Sequence, residues 1–440
     1  MRDKQNHIAS KLQKSFGLSE DFTLETKEMN GEMITFCYLK SLVDVSKTAL
    51  SLENIQDKDW SKLAMQLGAE TNRSESELAK DILTGKLIIL HAAGNLSWRP
   101  FSPSIQRSIT TPQSESNIQN AMDAFTENLE SNLALLRTHL RSKDLGITLL
   151  EMGNIRKRKL SVCYIQGKAD EKLVHRILSH LISKQESELE TIQDFNRLIK
   201  QRGRWSPVPL FQLQEQPEQA VSLLMNGRVV IMLDQMPYAL LIPPLITDLF
   251  LINSDRNLPP ILMVAVRSIR VIGLLITLVI PGLYVALVSV NPEVFRIDMA
   301  LSVAKSREGV PYPALIEILI TLLIVEMIVG ASIRLPKSVG PTITMVGGII
   351  LGQALVQAQL VSNLLIIVLA ATTIANFTLA GFQNALMIRL FKYGNVILGS
   401  IFGILGIMVG FVWFIFYLSG INTYRIPYLG RKVAMEEANE

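Results

Sequence analysis

Pro313–Pro336 reads PALIEILITLLIVEMIVGASIRLP, and this stretch decides the fold. Its only ionisable groups ahead of Arg334 are Glu317 and Glu326. The rest is apolar over about the 20 residues that an α-helix needs to cross a bilayer. Four more stretches of this kind lie at about 271–290, 341–360, 363–380 and 396–418. Mean hydropathy over the 440 residues is +0.30 and 49% of residues are apolar, high values for a protein that keeps to water. The sequence therefore predicts an all-α transmembrane bundle over 257–433, closed by a short tail, 434–440.

The half before the bundle has a different composition. Residues 1–256 hold 31 Lys+Arg and 31 Asp+Glu, whereas residues 257–440 hold 12 and 8. The cation excess thus sits beside the apolar runs, where it meets anionic lipid head groups, and argues against nucleic acid as a partner. The opening MRDKQNHIASKLQKS has no apolar signal core, so this half is expected in the cytosol. It reads as a duplicated α/β unit, 33–103 and 159–245. Each copy opens on a strand carrying Cys-Tyr (Cys37-Tyr38, Cys163-Tyr164) followed by a helix. Each later contains helix, turn and strand: LAKDILTGKLIIL (78–90) and AVSLLMNGRVVIML (220–233). Gly85 and Gly227 fit the left-handed position that ends a helix. Asp234–Pro237 reads as a turn into a strand at Tyr238–Ile242. The run Tyr238–Leu251 holds Pro243-Pro244 and Asp248 and stays with the soluble half. A Ser/Pro/Thr-rich linker, Asn95–Gln119, separates the copies. The divisions are therefore 1–110, first unit and linker, and 111–256, connecting helix and second unit. That helix is expected from the stripe Met122, Phe125, Leu129, Leu133, Leu136 and Leu140. With two cysteines and no CxxC, neither a disulfide framework nor a cysteine zinc site is expected, and Cys37 and Cys163 read as core residues.

There is no P-loop, GxSxG, HExxH or dinucleotide fingerprint, so neither an enzyme nor a cofactor or metal is expected. His175 and His180, five apart, share no helix face. The bundle carries more chemistry, because ionisable groups within a bilayer are costly and face protein or water. Glu317 and Glu326 are nine apart and point to opposite sides of their helix. The Glu317 side continues through Thr321, Ile324, Ile328 and Ala331. It is polar at one end and apolar beyond, which suits a hydrated mouth leading to a hydrophobic constriction, and these five are the pore-lining candidates. The alternative is that both carboxylates hydrogen-bond between helices and meet no ion. Glu326, Gln353, Gln357 and Asn376 read as polar groups buried among helices, with Glu326 requiring a basic partner elsewhere. Gly399, Gly403, Gly406 and Gly410 fall on one face of the last helix. Thr344, Gly348 and Gly352 form a similar strip, and both strips suit close helix packing, within the chain or between chains. Phe382–Tyr393, with Arg389 and Lys392, reads as an amphipathic segment on the membrane surface. Five crossings would leave Arg425, Arg431 and Lys432 outside, against the positive-inside rule. An even number makes one stretch re-entrant, and 363–380, with its polar ATTIANFT, is the candidate.

Several stretches in order carry a family resemblance: AFTENLESNLALLRTHLRSKDL (124–145), REGVPYPALIE (307–317), IRLPKSVGPTITMVGGIILGQALVQAQLVS (333–362) and PYL (427–429). The chain resembles the A subunit of the GerA-type spore germinant receptors. It departs from them at Gln119–Ala124, where relatives carry a Gly/Pro-containing basic turn, and at Leu322, Val329 and Gly330, where relatives carry charges. The resemblance implies a multi-pass protein of the spore inner membrane that responds to small nutrients with B and C subunits. It implies that the nutrient sits mainly on a partner and that several A subunits form a ring around a gated ion pathway. A transporter subunit moving a small solute by alternating access is the competing reading.

Overall fold

A computed structural model describes residues 2–29, 32–44, 47–48, 64–65, 67–91, 93–100, 123–199, 206–336 and 340–430. Most of the linker, Met122 and the tail 434–440 lie outside them. Helix α1 (Arg2–Phe16) leads into the first sheet: β1 (Phe22–Met29), β2 (Glu32–Leu39), β3 (Glu70–Thr71), helix α2 (Glu75–Leu83), β4 (Leu87–His91) and β5 (Gly94–Trp98). The second unit follows as α3 (Leu129–His139), β6 (Leu145–Met152), β7 (Arg158–Ile165), α4 (Glu171–Ser183), α5 (Ile192–Ile199), β8 (Gln212–Gln214), α6 (Pro217–Met225), β9 (Val229–Leu233) and β10 (Ala239–Ile242). The sheets run β1-β2-β4-β5-β3 and β6-β7-β9-β10-β8, the same order strand for strand, with antiparallel pairing throughout. Cys37 pairs with Ile88 and Cys163 with Val230, so the two cysteines hold equivalent places. Burial pushes both thiols up to about 12, which keeps them protonated and inert. Gly85 and Gly227 turn out of their helices at φ 81° and 82°.

The repeat starts one strand earlier than the sequence indicates and also holds β3, β8 and β5, the last covering Asn95–Trp98 of the stretch read as linker. It begins at β1 and β6, and the edge strand FTLETKEM is too polar and too exposed to announce itself. Helix α3 starts at Leu129, later than its apolar stripe. The Asn128 side chain accepts from the Ser131 amide at 2.8 Å and caps it there, leaving Phe125 buried in the approach. The two units are welded together. Glu20 N donates to Ile147 O at 2.9 Å, and Ile147 N to Leu18 O at 3.1 Å. Arg137, fully buried, gives Nη2 to Asp21 Oδ1 at 2.8 Å and Nε to Asp21 Oδ2 at 3.2 Å.

The helical half comprises α7 (Pro260–Val285, continued by a π-turn, Ala286–Val290), α8 (Ile297–Ser306), α9 (Ala314–Arg334), α10 (Gly340–Gln357), α11 (Asn363–Phe377) and α12 (Phe382–Ser419), ending in a small hairpin, β11 (Asn422–Thr423) and β12 (Ile426–Pro427). Helix α7 begins eleven residues earlier than its apolar core, because Arg270 is neutralised by Asp255, Nη2 to Oδ1 at 2.8 Å. Taken as rods, Pro260–Val290, Ala314–Ser332 and Gln383–Ser419 have the length and hydropathy of a crossing, and Met345–Gln357 and Asn363–Phe377 are shorter apolar helices.

The last of these is not a rod. Gly403 sits at φ 63°, ψ −141° and reverses the chain. The Phe391 ring accordingly lies 4.8 Å from Phe414 and 5.3 Å from Tyr417. The two halves of α12 therefore run antiparallel, spanning roughly 30 and 24 Å. The four glycines consequently do not share one face of a single helix, though each does sit at a close approach. Gly399 lies against Gly282 of α7, where a Cβ would stand 2.9 Å from the carbonyl oxygen. Gly406 and Gly410 admit the returning half against Leu398 O and the Asn395 side chain. Five apolar stretches thus make six helical passages. Near the α/β units lie the start of α7 (Arg270 Nη1 on Phe250 O, 2.8 Å), the end of α11 (Ala380 N on Leu249 O, 3.1 Å) and the end of α12 (Tyr417 OH on Ser206 Oγ, 3.0 Å). At the far end Tyr284 meets Ser362, and Gly403 meets Asn291. The fold-back that gives an even count comes from 396–418. The 363–380 stretch, α11, runs the length of α7 in the opposite sense, with Ser362 beside Tyr284 and Thr378 beside Gly273.

Candidate functional site

The helices bury a polar node at their far end. Glu317, one turn into α9, is wholly buried. Its Oε1 accepts from the Ser362 amide at 2.7 Å, and the Arg307 Nε lies 3.3 Å from its Oε2 as an ion pair without hydrogen-bond alignment. Ser362 caps α11, accepting from Leu365 N at 3.3 Å, and its Oγ meets the Tyr284 hydroxyl at 3.0 Å. Thr321 turns its hydroxyl onto Glu317 O at 2.7 Å. The carboxylate therefore ties α7, α9 and α11 to the loop after α8. A cavity of about 370 Å³ opens between α8 and the end of α7, walled by Leu287, Val288, Phe295, Val303 and Arg307.

Of the residues read as pore-lining, Glu317 and Thr321 face the packed interior, where Ile318, Leu322 and Leu365 surround them. Ile324 and Ile328 are half-buried and Ala331 is exposed. Within one chain this line does not border an open channel among the described residues; it runs from core to surface. Leu322 is a core leucine.

Glu326 receives Arg389 Nη1 at 3.0 Å, with Lys392 Nζ at 3.9 Å. This corrects the reading of Phe382–Tyr393 as a surface segment. The carboxylate draws both cations inward, and Met387, Ile388 and Phe391 are buried beside them. Asn376 is buried. Gln353 and Gln357 are not: both are exposed on α10, which within the chain packs on α9 and leaves its outer side uncovered. A Cβ added at Gly348 or Gly352 would likewise meet nothing within 4 Å. The side chain of Thr344 lies outside the described residues. Sequence reasoning gave no role to Arg307, Ser362 or Tyr284: Arg307 and Ser362 lie at the ends of family-like stretches, but a stretch does not say which of its residues meet, and Tyr284 lies in none of them.

A duplicated antiparallel α/β domain fused to a six-passage apolar bundle with an internal acid–base node defines a membrane protein with the helical core as its distinguishing part. The chain belongs to the Bacillus/Clostridium GerA spore germination protein family, which matches residues 10–439. It is 29% identical to spore germination protein B1 of Bacillus subtilis (strain 168), over 97% of this chain and 91% of that protein. It is 28% identical to spore germination protein A1 of the same organism, over 93% and 86%, and 31% identical to its uncharacterized membrane protein YfkQ, over 81% and 69%. Among solved structures it is similar to the N-terminal domain of the A subunit of the Bacillus megaterium spore germinant receptor GerK3, at 18% identity and a TM-score of 0.36, covering 53% of this chain and 91% of that one.

Proposed function

We propose that this chain is an A-type membrane subunit of a nutrient-sensing spore germination receptor. It acts without enzymatic chemistry in the spore inner membrane, with the α/β units on the cytosolic side. Several copies assemble with B and C subunits, the nutrient is held mainly by a partner, and the gated ion pathway forms between copies. The observation that carries the reading is the uncovered side of α10. It presents Gln353 and Gln357 from a mostly apolar helix, whereas Gly348 and Gly352 lie roughly opposite them on the half-buried face. An amide left against lipid tails is costly, so the glutamine side suits a protein neighbour. Ile324, Ile328 and Ala331 on the adjoining α9 then border the space between copies, while Glu317 holds the bundle together from within. Nutrient binding on a partner biases a closed–open equilibrium only through contacts that differ between the two states.

The test is complementation. A spore-forming host stripped of its own A-type subunits, given this chain with its B and C partners, is expected to regain nutrient-triggered ion release and germination. No response, with all three chains present in the membrane, contradicts the assignment.

A further inference from the structure

The helical half and the second α/β unit are joined by the chain's last segment, which places an aromatic residue in each core. After α12 the chain makes a two-residue hairpin, pairing Asn422 with Pro427 and Thr423 with Ile426. Its tip, Tyr424-Arg425, holds φ 51° and 69°. Both values lie in the left-handed region, where such turns favour Asn and Gly, and neither residue here is of that kind. Something must hold this backbone in place, and the surroundings show what. Tyr424 is buried in the helical side of the second sheet, among Leu173, Ile177, Leu181 and Phe195. Its hydroxyl lies 3.0 Å from His180 Nδ1, and Arg176 Nη1 donates to its carbonyl at 2.6 Å; both partners are on α4. Four residues on, Tyr428 is buried in the membrane-side cluster with Leu274, Ile388, Phe414 and Leu418, and its carbonyl accepts from Ile246 N at 2.8 Å. Ile421 packs against both clusters.

We propose that the Asn422–Pro427 hairpin is a spring-loaded latch. Docking of Tyr424 against α4 holds the returning half of α12 in place, and undocking releases turn strain and loosens both elements together. Two aromatic anchors four residues apart, one in each core, make the hairpin a short lever with no slack. The proposal rests on the fold alone and does not require that the protein conduct ions.

Amide hydrogen exchange on the full chain in lipid nanodiscs tests it. Tyr424→Ala is expected to speed exchange about tenfold in both 171–183 and 404–419, with 22–39 unchanged. A rise confined to 420–430, or to only one of the two helices, overturns the proposal. If that variant unfolds globally, Arg425→Gly decides. It removes turn strain while keeping the anchor, and slower exchange in both helices is expected; an unchanged rate in either overturns it.

Discussion

Glu317 shows how far a single residue can be read. Its cost in an apolar helix marks it for attention, and the spacing to Glu326 assigns the two acids to different sides. Which side meets water does not follow, because the deciding partners, Arg307 and the Ser362 amide, are brought in from 10 residues before and 45 residues after it. A buried ion pair is strongly destabilising when broken because one charge is left uncompensated. Glu317→Ala is therefore expected to lower the stability of the detergent-solubilised chain by about 3–5 kcal/mol, read by thermal unfolding. Glu317→Ala combined with Arg307→Ala should cost less than the two separate losses added. Full additivity would show the pair to be uncoupled. Arg137→Ala should be comparably costly and should loosen the joint between the α/β units, visible as faster amide exchange at Glu20 and Ile147.

At the scale of elements the α/β repeat was legible from its strand–helix–turn–strand wording, because buried strands and left-handed glycines leave compositional marks. The edge strand β1 and the start of α3 were not, since an exposed strand and a cap are decided by what lies alongside. The last helix was misread for a related reason. A glycine that permits close packing and a glycine that reverses the chain look the same in sequence, and only the positive φ at Gly403 separates them. Gly403→Ala should cost about 1–3 kcal/mol from the positive-φ backbone alone, and its side chain would also collide with Asn291; folded yield and thermal stability should both fall. Gln353→Leu with Gln357→Leu should leave the stability of the isolated chain unchanged and weaken its assembly, read by size-exclusion chromatography. Helix α4 adds a pH dependence. Burial, with Lys184 acting in the same direction, pushes His180 below the ordinary histidine range. The native state then binds its proton less readily than the unfolded state. Its contribution is present in full above about pH 6.5 and is lost as pH falls from there through the lowered value. His180→Gln should flatten the change in α4 exchange between neutral and mildly acidic pH.

For the molecule as a whole, the even number of helical passages brings the α/β units and the chain beyond α12 to one side. Cysteines placed at Gly430 and Ser10 should therefore react with an impermeant thiol reagent from the same side of a sealed vesicle, and one at Glu308 from the other. Labelling of Gly430 and Glu308 from one side would refute the fold-back at Gly403. Hydropathy located every apolar stretch, but it could not show that one of them counts twice. Nor could it show that α10 leaves its amides uncovered, because covering is a property of neighbours. That uncovered side is the basis for reading the chain as one sector of an assembly. Native mass measurement of the complex extracted in mild detergent addresses this directly. Several copies of the 49.0 kDa chain with co-purifying partner chains are expected. A monodisperse single copy, with Gln353 and Gln357 facing detergent, would contradict it.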